Sequence, residues 1–81
     1  MKNWHLQPAK IHLQIRVGDG EQSIAIFQNK RMVQDMSSEY CVGTIYHDDL
    51  NTAWDVLVYD DLVQATKAMD KRVAAEKIFI G

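Results

Sequence analysis

A single cysteine, Cys41, leaves this chain with no possible internal disulfide, and no second Cys or His stands near it to begin a zinc knot. That excludes the stapled secreted scaffolds and leaves Cys41 as a small buried hydrophobe in a reducing compartment. Nowhere do eighteen apolar residues run together, and Met1-Lys2-Asn3-Trp4-His5 leads into no signal-peptide core, so the expectation is a cytoplasmic chain without a membrane segment. Lys and Arg are absent from Asp35 to Asp61, a stretch that holds seven acids. A surface built from it repels phosphate.

Catalytic frames are missing as well. Ser37 and Ser38 lack a G-x-S-x-G context, and Cys41 has no recognisable His and Asn partners. Gly18-Asp19-Gly20 has the glycines of a phosphate loop, but no Lys-Ser/Thr follows and a strand opens after it instead of a helix. His5, His12 and His47 show no i, i+2 or i, i+4 spacing to hold a metal between them. These absences point away from an enzyme and imply no cofactor.

What is present is globular. Hydrophobic residues make up 47% of the chain and charged residues 25%, which is too apolar for disorder. A chain of 81 residues is one domain with a small core, and a second copy or a partner would add to its stability. The formal net charge of -2 conceals an asymmetry. Residues 1–31 carry five bases against two acids, and residues 32–81 carry nine acids against four bases.

The clearest structural signal is Lys10-Ile11-His12-Leu13-Gln14-Ile15-Arg16-Val17, where apolar and polar residues alternate throughout. Alternation at period two predicts a strand with Ile11, Leu13, Ile15 and Val17 on its inner face and Lys10, His12, Gln14 and Arg16 on its wet face. Before it, residues 1–9 read as an arm containing Pro8, with Trp4 tucked over the core's edge. After it, Gly18-Asp19-Gly20-Glu21 turns the chain into Gln22 to Gln28, giving a hairpin. Asn29-Lys30 makes a second turn, and Arg31 to Met36 is expected as a third strand, although Met32, Val33 and Met36 also fit a helical turn. Tyr40 to Tyr46 reads as a strand, with Gly43 marking a bulge or a close backbone approach. His47-Asp48-Asp49-Leu50-Asn51 is turn-forming, and Ala53 to Tyr59 is assigned to a strand over a helix on its β-branched and aromatic content. Leu62, Ala65, Met69 and Val73 then recur at helical spacing behind Asp60 and Asp61. Ile78 to Ile80 is too apolar to dangle, and it either packs back as a short strand or inserts into another chain.

The expected fold is therefore α+β: a hairpin-led antiparallel sheet of four or five strands packed against one C-terminal helix. The single domain divides into an arm (1–9), a mainly β region (10–59), a helix (60–76) and an apolar tail (77–81). Its core is expected from Ile11, Leu13, Ile15, Val17, Ile24, Ile26, Trp54, Val56 and Val58.

Three functional readings follow. The leading one is a small non-catalytic domain that binds another protein as inhibitor, adaptor or subunit through acidic residues Asp48, Asp49, Asp60 and Asp61. The alternative is a nucleic-acid-binding sheet face built from Lys10, Arg16, Lys30 and Arg31, weakened by the lack of stacking aromatics beside them. The third is metal-assisted catalysis at the Asp-rich turns, whose spacing matches no calcium loop. Self-association is compatible with all three, because a sheet edge and the apolar tail are both available for pairing.

Overall fold

In the computed structural model, which describes residues 3–6 and 9–80, the chain forms five strands and two helices. They follow in the order β1 (Trp4–His5), β2 (Lys10–Val17), β3 (Gln22–Gln28), α1 (Lys30–Gln34), β4 (Tyr40–Tyr46), β5 (Asp49–Tyr59) and α2 (Leu62–Glu76). The strands make one antiparallel sheet in the order β1-β5-β4-β3-β2. Four consecutive strands thus run as a meander, and the arm returns to pair with β5 through Trp4 opposite Ala53 and His5 opposite Thr52. Expectations for Met1, Lys2, Pro8 and the final Gly81 lie outside the described residues.

The sheet buries both of its faces. On one side α2 lays Ala65, Met69 and Val73 over Val17, Ile24, Ile26 and Val42. On the other, Ala25, Phe27, Cys41, Ile45, Ala53 and Val56 form a second cluster, closed by Leu6 and flanked by Trp4 and Met32. This explains why β3 is buried almost throughout instead of alternating. Trp4 packs edge-on against Phe27 with ring centroids 6.3 Å apart, so the arm does tuck over the core.

Several expectations are corrected. The third strand over Arg31 to Met36 is instead α1, started by Asn29, whose Oδ1 accepts the Met32 amide at 2.8 Å. A capping side chain at the first turn decides between the two periodicities that Met32, Val33 and Met36 leave open. The last strand begins at Asp49, so the turn after β4 shortens to His47-Asp48. Ile11 and Leu13 do not share a face. The register steps from Ile11 opposite Phe27 to Leu13 opposite Ile26, so a bulge at His12 sends Ile11 to the Phe27 side and Leu13 to the helix side. Ile11, Leu13 and Val58 are exposed, whereas Val17, Ile24, Ile26 and Val56 are buried as expected. Ile15 and Trp54 are partly buried.

The bulge is held by side chains. Gln28 is buried and donates through Nε2 to the carbonyls of Ser37 and Glu39, which orients its amide so that Oε1 accepts from His12 Nε2 at 2.8 Å. One buried amide therefore ties β2 to the loop that enters β4. The tail packs back on β2: Ile78 bridges to Val17, and the Phe79 amide donates to the Arg16 carbonyl at 3.0 Å.

Candidate protein-binding surface

The acidic segment is carried by β5, and its strand conformation separates the expected acid pairs. Asp48 and Asp49 stand at its start, Asp60 and Asp61 just past its end, about 30 Å away over an eleven-residue strand. The four carboxylates do not converge, and one ion cannot bridge the two pairs. Among the described residues no three His, Cys, Asp or Glu side chains come together as a metal-holding group.

At the first end, Asp48 and Asp49 line a surface recess with Tyr46 and Trp54, whose rings pack edge-on at 6.4 Å. Asp49 Oδ1 accepts the Asn51 amide at 3.1 Å, a local bond at the entry into β5. At the other end Asp61 is the N-cap of α2, and its Oδ1 accepts the Gln64 amide at 2.9 Å. Its charge also lies against the positive end of the helix dipole.

Between the pairs, β5 bulges where two residues, Asp55 and Val56, oppose Gly43. Asp55 takes a positive φ of 53°, a conformation that Asp and Asn tolerate better than other non-glycine residues. A Cβ on Gly43 would meet Val56 Cγ2 at 3.0 Å and Ala53 Cβ at 3.2 Å, so the bare glycine lets β5 close over β4. Arg72 of α2 fastens the bulge by donating from Nη2 to the Asp55 carbonyl at 2.6 Å.

The remainder of β5 is open. Leu57 and Val58 are exposed, as are Leu62 and Val63 in the first turn of α2. Beyond the arm's pairing at Thr52 and Ala53, no described residue pairs with the outer edge of β5 from Trp54 to Tyr59. Exposed apolar side chains, an edge with which no described residue pairs, and Asp60 and Asp61 thus occupy one end of β5, with Asp55 at the bulge in its middle. Sequence reasoning placed Asp60 and Asp61 there and expected an available sheet edge, but it missed Leu57, Leu62 and Val63 and did not say which strand supplies the edge, because strand order is not written in local periodicity.

The basic residues do not form a single patch. Lys10 lies opposite Gln28 and Arg16 opposite Ser23, on opposite sides of the sheet. Arg16 is engaged by its own hairpin and tail, donating from Nε to the Gly20 carbonyl at 2.7 Å and lying 5.0 Å over the Phe79 ring. Lys30 and Arg31 are on α1, where Arg31 reaches Asp35 one turn later at 3.7 Å, a largely solvated pair of little energetic weight.

Two nucleophile candidates are enclosed. Ser23 Oγ and His47 Nε2 share a 2.8 Å hydrogen bond, a contact between residues 24 apart that the sequence did not signal. Ser23 is only 1% exposed, so a substrate carbonyl has no path to its hydroxyl, and the bond serves to satisfy a polar group inside the sheet. Cys41 is fully buried with its thiol 3.8 Å from Met32 Sδ. Burial, assisted by the nearby Glu39 carboxylate, pushes the thiol up from 9.0 to about 11. At neutral pH it is a packed thiol, without the thiolate that reactivity requires.

No helix is long and apolar enough to cross a membrane among the described residues. The chain matches no family model, no curated protein sequence and no solved structure.

Proposed function

We propose that this chain is a small non-catalytic protein-binding domain, acting as inhibitor, adaptor or subunit, and that its contact surface is the open end of β5 with the first turn of α2. The observation that supports the reading most is the coincidence there of a strand edge with which no described residue pairs, exposed Leu57, Val58, Leu62 and Val63, and the carboxylates of Asp60 and Asp61, with Asp55 at the bulge just before them. An exposed strand edge recruits another strand through backbone hydrogen bonds, apolar side chains supply the buried area, and charge of one sign selects a basic counterpart. The acid pair Asp48 and Asp49 lies at the far end of β5 and is left out of this surface.

The test is capture from the native host with quantitative mass spectrometry, comparing the wild-type chain with the triple variant Asp55→Asn, Asp60→Asn, Asp61→Asn. Asparagine keeps both the positive φ at Asp55 and the N-cap at Asp61, so the variant removes charge without removing structure. A specifically captured protein, retained several-fold less by the variant, is the expected outcome. Equal retention by both forms, or no specific capture of any chain, further copies of this one included, contradicts the proposal.

A further inference from the structure

We infer that the open edge of β5 pairs with the open edge of β2 in a second copy of this chain, joining copies head to tail into a continuous antiparallel sheet. The inference rests on the reading of β5 as a protein-binding edge and names the partner. Its first support is the direction of the strands. Because β2, β3, β4 and β5 alternate, β5 of one copy runs antiparallel to β2 of a copy set beside it by translation, with both α2 helices on the same side.

The second support is that the uncovered windows coincide. The edge of β2 is covered at Arg16 and Val17 by the tail, leaving Lys10 to Ile15 free among the described residues. The edge of β5 is covered at Thr52 and Ala53 by the arm, leaving Trp54 to Tyr59. In the antiparallel register that sets Leu13 of the second copy opposite Leu57, the two free windows face one another, and the strands part beyond them, where the tail and the arm each occupy an edge.

That same register matches faces residue by residue. Leu57 is opposite Val42, and Leu13 is opposite Ile26, which places both on the helix side. Val58 is opposite Cys41, and Ile11 is opposite Phe27, which places both on the other side. Ile15 and Trp54 again share the helix side. The bulge at His12 in one strand and the bulge at Asp55 in the other are both accommodated, because each falls between these matched pairs. Leu13 and Leu57, each about half exposed in the single chain, would cover one another.

Charge is the third support. The register brings Lys10 of the second copy beside Tyr59 and Asp60, so the basic edge meets the acidic one. A symmetric pairing of two β2 edges, or of two β5 edges, sets like charges in proximity instead. A head-to-tail contact uses two different patches of one molecule and continues from copy to copy unless rotation closes it into a ring.

Sedimentation velocity on the purified chain over a range of concentrations tests the inference, with circular dichroism confirming that each variant is folded. The wild type is expected to form larger species as concentration rises, less so at high salt. Lys10→Glu and Asp60→Lys should each weaken association by about fivefold or more, and the double variant K10E/D60K should restore it. Gln14→Pro supplies a backbone test. Arg16 turns its carbonyl outward to Phe79, so Gln14, two residues earlier, turns its N–H outward too, and proline there removes an edge donor while sparing the ladder to β3. A chain that remains monomeric at its highest soluble concentration overturns the inference. So does association that responds to Lys10→Glu but not to Asp60→Lys, the signature of a symmetric β2 pair. A monomeric chain that still captures a host protein through β5 overturns the self-pairing alone and leaves the protein-binding reading standing.

Discussion

Single side chains set the limits on what this molecule can do chemically. Cys41 packs against Met32 and sits opposite Phe27 and Val58, away from water, and its thiol titrates near 11. A raised folded-state value means the neutral thiol is favoured by folding. The associated stability is fully present below pH 9 and is lost as pH rises through about 11. Comparing the pH dependence of unfolding in wild type and Cys41→Ala isolates this contribution, and the wild-type curve should fall more steeply between pH 9 and 11. In the same vein, iodoacetamide at pH 8 should label Cys41 at least a hundredfold more slowly in the folded chain than in urea, with access governed by opening of the fold. The sequence made the inert thiol legible, because no base or second ligand stands near it. The Ser23–His47 bond was illegible: it depends on Ser23 lying opposite Ile45, a register that only the assembled sheet defines.

At the level of elements, the hairpin, β4 and α2 were readable because each follows a simple local rule: alternation around glycines, β-branched content, or apolar spacing behind two acids. Elements that depend on a distant partner were not. β1 is two residues long and exists because β5 offers it an edge. The step at His12 breaks an alternation that is perfect in sequence, since Gln28 and the loop after α1 hold a residue out of register. Gly43 is legible in the sequence as a bulge or a place where backbones come close, and the structure supplies the reason in Val56, Ala53 and the Trp54 carbonyl. Gly43→Val should therefore push β5 off β4 and destabilise the chain by roughly 1–3 kcal/mol in urea unfolding, the usual range for overpacking a core. A Gly43→Val chain as stable as wild type would show that the β5 bulge closes less tightly than these distances require. The strand over Ala53 to Tyr59 matters most for the proposed contact surface, because a helix would gather Asp55, Asp60 and Asp61 with a different set of neighbours.

Across the whole molecule, the sequence-level charge asymmetry turns into a geometric one. The basic half supplies β2 and α1, the acidic half supplies β5 and the approach to α2, and the sheet order places β2 at one edge and β5 near the other. Burial on both sheet faces, by α2 on one side and by the arm with Met32 on the other, leaves the edges as the places where a partner can add to the structure. The second cluster is announced in the sequence only by Trp4, expected over the core's edge, because the arm that closes it has no apolar period. Amide hydrogen exchange followed by mass spectrometry, on the purified chain at low and high concentration, tests the central claim that the free edge of β5 is a contact surface. Amides in Trp54–Tyr59 and in Lys10–Ile15 should gain protection together as concentration rises, while β4 and α2 stay unchanged. Exchange in both segments that is independent of concentration, and independent of any captured host protein, would contradict it.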